Sequence, residues 1–411
     1  MKSEGCYFPF TFITNGEAES LRDVIIVGGG PVGSYAALLL SKRGFDVLVL
    51  ERNPSVGQRV VCTGLVGMEA FDRFHLPRGA VVKQVGDVTF FSPSGIRFSY
   101  RPDGPTAFVL DRHRFDRDMA DMALSYGAEL RCNTLVTDVR IREDGVTVEV
   151  EGAGGRTEFR AKMAVVACGF NPELTQKMGL GRPREVLQGA EAELDVDGMG
   201  ETEIYVGRRI APGSFAWVLP INAGKAKIGI TTPENADLFL RSFLNKPVIR
   251  HRIKSHNPRI NVEVIPITPI ERSFTERVLV VGEAAGQVKS TTCGGIYYGL
   301  ISAQFAVETI GEAFSRSRFD NEFLRTYERR WRRELGGELE IGYRLRQIFS
   351  GIRDRQIDRL FEILNSDGIA TLIHARARFD WHKDLILMLS RHMIFGKYLQ
   401  PISVLAKGFG E

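Results

Sequence analysis

The chain has 411 residues, 44% hydrophobic residues and a formal net charge of +4. That is long enough for a large core in two or three structural units and too weakly basic to argue for nucleic acid. No run reaches the roughly 18 consecutive apolar residues of a membrane span, and residues 1–21 lack the basic-then-apolar order of a leader. Five cysteines, Cys6, Cys62, Cys132, Cys168 and Cys293, show neither CxxC pairing nor zinc spacing. The expectation is a cytoplasmic protein in a reducing compartment, including the cytoplasmic membrane face, with no metal.

In chain order, the first predicted element is a buried strand at 23–27. It runs into Gly28-Gly29-Gly30-Pro31-Val32-Gly33, a small-residue helix at 34–41, and a strand at 47–50 that ends on Glu51 and Arg52. Strand, GxGxxG turn, helix, strand and acid make a dinucleotide site. Glycines at 28, 30 and 33 permit the tight turn, the close approach of backbone to a pyrophosphate and tight helix packing, while the helix N-terminus offers N–H groups to the phosphates. Glu51 is placed to accept hydrogen bonds from a ribose diol.

Residues 81–100 read as a hairpin-like insert turning at Ser92-Pro93-Ser94-Gly95. A helix follows at 114–126, then strands at 136–139, 146–150 and 163–166. Residues 185–232 alternate apolar and polar positions, as in Glu191-Ala-Glu-Leu. Residues 233–260 read as helix and loop. A buried strand then ends on Gly282-Glu283-Ala284-Ala285-Gly286, and Thr291-Thr292-Cys293-Gly294-Gly295-Ile296 opens a helix. Two such turns far apart, with strands between, favour FAD over NAD, because a nicotinamide dinucleotide needs no distant segment for a ribityl chain.

The expected class is α/β (α+β). A glutathione-reductase-type FAD-binding Rossmann domain is discontinuous over 22–80, 107–185 and 262–320. An interleaved antiparallel-sheet substrate domain covers 81–106 and 186–261 and roofs the cofactor. Residues 1–21 form an N-terminal extension and 321–411 a C-terminal helical region. From the residues alone, the apolar wall of the roof is either a filled core or a hollow cavity. The basic stretch Arg241, Lys246, Arg250, His251, Arg252, Lys254, His256 and Arg259 is either a head-group site or a solvated face. The segments 385–389, 393–395 and 402–405 either lie on a bilayer or pack on the body.

Over residues 22–365 the chain resembles the geranylgeranyl reductase family, flavoproteins of the p-hydroxybenzoate hydroxylase superfold. The resemblance rests on the dinucleotide turn, Val61-Cys62-Thr63-Gly64-Leu65-Val66, Leu110-Asp111-Arg112, Phe215-Ala216-Trp217-Val218-Leu219-Pro220, the segment 282–299 with Tyr297-Tyr298-Gly299, and the stretch 327–332. It implies a reductase that saturates isoprenoid C=C bonds of a membrane lipid or prenyl chain. Hydride would come from reduced flavin N5 and a proton from the protein or water. The implied FAD residues are Gly28, Gly30, Pro31, Val32, Gly33, Glu51, Arg52, Cys62, Arg112, Val136, Gly282, Glu283, Gly286, Gly294, Gly295 and Ile296. The implied substrate residues are Phe215, Trp217, Leu219, Pro220 and Cys293. Cys62 is the first choice of proton donor, with Tyr297, Tyr298 or water as the alternatives, whereas His75 and His113 read as structural.

Departures from the family pattern bear on these roles. Glu283 stands where Asp is usual, Cys293 where Gly is usual, and Cys168 replaces the aspartate of the superfold's Ala-Asp-Gly strand end. Phe215 and Leu219 replace Tyr and Phe in the lipid-cavity motif. The loss at 168 favours reduced ferredoxin or flavodoxin as electron donor, or NAD(P)H held only transiently. The other readings are a flavin-dependent monooxygenase or halogenase with Lys289 between flavin and substrate, a quinone-linked electron-transfer flavoprotein, and a non-catalytic prenyl-binding chaperone. Cys62 and Cys293 either stand as independent thiols or pair as an oxidative switch.

Overall fold

The computed structural model describes residues 21–391 except 153, 255–257 and 367. Cys6, His256 and the apolar segments beyond residue 391 lie outside the described residues. Chain order begins β1 (Arg22–Val27), α1 (Pro31–Ser41), β2 (Val47–Leu50), β3 (Leu65–Gly67), α2 (Met68–Phe74), β4 (Val81–Val85), β5 (Val88–Phe91), β6 (Arg97–Tyr100), β7 (Ala107–Leu110) and α3 (Arg112–Ser125). Next come β8 (Glu129–Arg131), β9 (Thr134–Arg142), β10 (Gly145–Gly152), β11 (Gly155–Val166), α4 (Pro172–Lys177), β12 (Val186–Asp195), β13 (Thr202–Gly207), β14 (Ala211–Asn222) and β15 (Lys225–Thr232). The chain closes with α5 (Ala236–Leu244), α6 (Pro247–Arg250), β16 (Asn261–Pro266), β17 (Phe274–Thr275), β18 (Val278–Val280), α7 (Ile296–Arg316), α8 (Asn321–Gly351), α9 (Asp354–Leu364), α10 (Ile369–Arg376) and α11 (Lys383–Arg391).

The first sheet runs β17-β18-β11-β1-β2-β8, with the hairpin β9–β10 added antiparallel to β11. Its centre, β18-β11-β1-β2, is parallel. Parallel strands are covered on both faces, which is why β1 and β2 read as unbroken apolar runs instead of alternating ones. Tyr35, Leu38, Met119 and Leu300 close one face, and Val136, Val148 and Val150 close the other.

The second sheet runs β16-β12-β15-β14-β13-β5-β6. One face packs on α5 through Ile228, Ile230, Leu240 and Phe243. The other meets the C-terminal helices through Phe98, Val206, Ile341 and Phe361. Three assignments differ from the sequence reading. The insert over 81–100 is not one hairpin: β5 and β6 form the hairpin, while β4 joins β3 and β7 in a separate three-stranded sheet. The joint between the two inserts, β5 to β13, is parallel, so the roof is mixed and not purely antiparallel. Residues 261–266, expected in the nucleotide-binding unit, add β16 to the edge of the roof beside β12. Alternation of side chains identifies a strand but carries no information about which distant strand it pairs with.

Glycine 229 has a packing role in this sheet. A Cβ there would sit 2.2 Å from Trp217 Cζ2 and 2.9 Å from the Ala190 carbonyl oxygen, so the indole lies across the bare backbone of β15. Gly229→Ala therefore forces the ring off its seat. The expected cost is about 1–3 kcal/mol, read as a lower denaturation midpoint, together with a shift in tryptophan emission.

Candidate functional site

A cavity of about 900 Å³ runs from the glycine turn after β1 into the space between the second sheet and the C-terminal helices. Gly28, Gly30, Pro31, Val32, Glu51 and Arg52 line one end. Cys62, Arg112, Cys168, Glu283 and the loop 291–296 line the middle, and Phe90, Phe98, Phe215, Trp217 and Leu219 line the far end.

The polar end fits a dinucleotide. Gly28 has φ +102, and a Cβ there would meet the Ala167 carbonyl oxygen at 2.6 Å. A Cβ at Gly33 would lie 2.0 Å from the Gly28 oxygen, so its absence lets α1 sit against the turn. At Gly30 a Cβ meets nothing within 4 Å: it would project into the cleft itself. Glu51 accepts from the Gly29 N–H at 2.9 Å and from the Asn53 N–H and Nδ2 at 2.9 and 2.8 Å. These bonds hold the carboxylate at the cavity wall with lone pairs to spare for a ribose. Arg112 forms a bidentate pair with Asp116 at 2.9 and 3.0 Å and lies within hydrogen-bonding reach of Cys62.

Glu283 carries its carboxyl to within contact of Gly169, beside Cys168. Burial first, then Glu263, pushes Glu283 up to about 8, against the pull of Arg112. Burial holds the Cys168 thiol neutral by raising it to about 12. Gly282 and Gly286 shape this turn without lining the cavity: both have φ +67, and a Cβ on Gly286 would meet the Thr268 oxygen at 2.2 Å.

The cysteine loop is tied across the cavity to the second sheet. Lys227 Nζ donates to the carbonyls of Cys62 and Thr63 at 3.0 and 3.1 Å. Thr63 Oγ1 donates to Glu191 Oε2 at 2.6 Å, and the Gly64 N–H donates to Cys62 Sγ at 3.4 Å. On the opposite wall Arg346 stitches the helix-opening loop through Ser290 O at 2.7 Å, Gly213 O at 3.1 Å and Cys293 Sγ at 3.6 Å. Cys293 adopts φ 63, the left-handed conformation that glycine takes most readily. Cys62 and Cys293 line the same cavity as free thiols.

Several expected site residues are elsewhere. Tyr297 and Tyr298 are buried in the core. The Tyr297 hydroxyl donates to Glu69, and that of Tyr298 donates to the Asp380 carbonyl at 3.0 Å. Helical periodicity is the reason: Ile296 faces the cavity, and the next two residues turn away. Val136 packs in the core of the first sheet. Pro220 is buried outside the cavity and offers its carbonyl to Lys83. Lys289 is engaged in a buried ion pair with Asp380 at 2.6 Å. In the basic stretch, Arg252 forms a bidentate pair with Glu203 at 2.8 and 2.7 Å, and Lys254 pairs with Asp197 at 3.1 Å. Ile386 is buried and Leu385, Leu387 and Leu389 pack on the same apolar cluster, so the described part of the C-terminal segment packs on the body.

Glu191, Glu263, Lys227 and Arg346 were missed. Alternation marked Glu191 as polar, and at that residue the polar face of the strand forms the cavity wall, whereas Glu193 and Asp195 further along are exposed.

A family model described as an FAD binding domain matches residues 22–204. The chain is 32% identical to digeranylgeranylglycerophospholipid reductase 2 of Methanothermobacter thermautotrophicus over 372 residues, covering 85% of this chain and 93% of that protein. It is 30% identical to the digeranylgeranylglycerophospholipid reductase of Methanocaldococcus jannaschii, covering 86% and 93%. The chain belongs to the geranylgeranyl reductase family. Its cofactor is FAD, and it is an FAD-dependent oxidoreductase acting on carbon–carbon double bonds. Among solved structures, a geranylgeranyl bacteriochlorophyll reductase-like protein of Thermoplasma acidophilum shares the fold with TM-score 0.83 at 21% identity, covering 93% of this chain and 99% of that one. A p-nitrophenol 4-monooxygenase of Pseudomonas putida does so with TM-score 0.69 at 20% identity, covering 87% and 98%.

Gly30→Leu should leave the fold intact and the protein colourless, because its side chain fills the pyrophosphate's approach. Gly33→Ala should instead lower stability through the 2.0 Å contact. Flavin absorbance and thermal melting of both variants separate these outcomes, and stoichiometric flavin in Gly30→Leu would remove the assignment. Glu283 keeps its proton in the folded state up to about 8 and loses it near the ordinary 4.5 when unfolded. Its contribution is therefore complete below 4.5 and is lost as pH rises through about 8. Urea unfolding of flavin-free protein should show wild type losing stability relative to Glu283→Gln between pH 5 and 9.

Proposed function

We propose that this oxidoreductase saturates the double bonds of an isoprenoid chain, and that the substrate is a membrane lipid of the digeranylgeranylglycerophospholipid type. The observation that carries the reading is the continuity of the FAD cleft with an apolar space floored by Phe90, Phe98, Phe215 and Trp217. A polyunsaturated chain can slide along such a floor and present successive double bonds at one place. The relatives named above support the choice of lipid.

When bound, FAD supplies hydride chemistry. The chain's own residues do the rest. Lys227 and Glu191 fix the Cys62-Thr63-Gly64 loop against the cavity. Phe215, Trp217 and Leu219 exclude water from one wall, and Arg346 holds the opposite loop in place. Two groups at the cysteine loop carry a transferable proton, the Cys62 thiol and the Glu191 carboxyl. Electrons reach the cofactor from a reduced ferredoxin or flavodoxin, or from a transiently bound pyridine nucleotide. Neutral Cys168 in place of an aspartate supports that choice. The reaction belongs at the cytoplasmic face of the membrane, where the lipid resides. Among the described residues no helix is long and apolar enough to cross it.

The test is mass spectrometry of lipids from cells that make digeranylgeranyl lipids and express the chain. Each saturated bond adds two hydrogens to the lipid. Unchanged lipids with flavin-loaded protein and a supplied reductant would overturn the reading.

A further inference from the structure

One row of cross-strand neighbours runs across the cavity-facing side of the second sheet. Phe98 pairs with Phe90, Phe90 with Ile204, Ile204 with Trp217, Trp217 with Gly229, and Gly229 with Glu191. Cross-strand partners share a face, and all of these except glycine line the cavity. The row is apolar until its last member, where a carboxyl stands at the end of an aromatic floor. Because Gly229 has no side chain, the Trp217 indole leans across it toward β12 and the carboxyl.

Glu191 is held from the other side by the cysteine loop, with Thr63 Oγ1 donating at 2.6 Å. Lys227 is its nearest positive charge, yet that amino group is spent on the Cys62 and Thr63 carbonyls at 3.0 and 3.1 Å. Of the other carboxyls on the cavity wall, Glu51 is engaged by the glycine turn and Asp116 by Arg112, while Glu283 beside Gly169 and Glu263, on which Arg112 and Arg52 act, stand at the cofactor end. Charged groups acting on Glu191 are Lys227, which favours ionisation, and Glu193, which opposes it. Burial outweighs the favouring partners Lys227, Thr63 and Trp217, so the group holds its proton above the ordinary carboxyl range.

Resting on the reading of the chain as a prenyl reductase, we infer that Glu191 is the acid that protonates the alkene. An isolated trisubstituted double bond has no carbonyl to absorb charge, so hydride delivery to one carbon requires a proton at the other. The π bond breaks and two C–H bonds form. The hydride and its electron pair come from the reduced cofactor, the proton leaves the Glu191 carboxyl, and the carboxylate is reprotonated from solvent. An uncharged carboxylic acid is a stronger acid than a thiol and does not burden the apolar floor with a buried charge. Cys62 then forms the adjoining wall, with Thr63 linking it to the acid.

The experiment mixes dithionite-reduced, FAD-loaded protein with geranylgeraniol and follows flavin reoxidation in a single turnover without oxygen. Glu191→Gln should keep its flavin, its reduction and its reoxidation by molecular oxygen. It should lose reoxidation by the alkene by roughly 10²- to 10⁴-fold, the usual worth of a general acid. Cys62→Ser should lose at least tenfold less of that rate than Glu191→Gln. Independently of turnover, the infrared difference between wild type and Glu191→Gln at neutral pH should contain a protonated-carboxyl band. A wild-type alkene rate in Glu191→Gln, or an ionised-carboxylate band in its place, overturns the inference, and loss confined to Cys62→Ser assigns the role to the thiol. Wild-type protein that no prenyl alkene reoxidises would instead defeat the reductase reading.

Discussion

The bond from Lys227 to the cysteine loop is the contact on which the site depends. The loop belongs to the nucleotide-binding half of the chain, and Lys227 stands on the sheet that roofs it. A charged donor to a partly buried carbonyl contributes roughly 1.5–3 kcal/mol, and here one ammonium serves two consecutive carbonyls. Thr63 returns the tie by donating to Glu191 on the neighbouring strand. The cavity is the space these bonds leave open between two separately packed cores. Its walls are fixed because each core is closed on its far face by helices.

Inside that space the polar groups are arranged by what burial does to charge. Removing a carboxylate from water is costly unless it is paired, and the groups here meet the cost in different ways. Asp116 and Asp380 pair with Arg112 and Lys289. Burial raises Glu283 and Glu191 above the ordinary carboxyl range. The cofactor end thus combines ion pairs with buried carboxyls, and Glu191 stands at the end of the aromatic floor.

The same fold serves aromatic monooxygenases and halogenases, and the difference lies in the lining. Lys289, which a halogenase would use between flavin and substrate, is buried against Asp380 and the Phe379 ring. That pair anchors residues 379–383, with Tyr298 donating to the Asp380 carbonyl and Glu338 accepting the backbone N–H groups of His382 and Lys383. Lys289 is here a structural fastener for the cavity wall.

Much of this was legible in the chain itself. The glycine turn, α1 and Glu51 are local: Gly33 is required by the Gly28 oxygen five residues earlier and Gly28 by its own φ of +102, so order and spacing alone point to a dinucleotide turn. Cys62, Arg112, Phe215 and Trp217, singled out by motif resemblance, line one cavity. The resemblance misplaced Tyr297 and Tyr298, because proximity in sequence to a glycine loop says nothing about the direction a helical side chain takes. Strand pairing, the hollow between the sheets and the role of Glu191 were decided only by the tertiary structure. The alternation of β12 distinguishes two faces, and only the arrival of β15, β14 and the cysteine loop determines that Glu191 on its polar face meets an apolar-floored cavity while Glu193 and Asp195 stay in water.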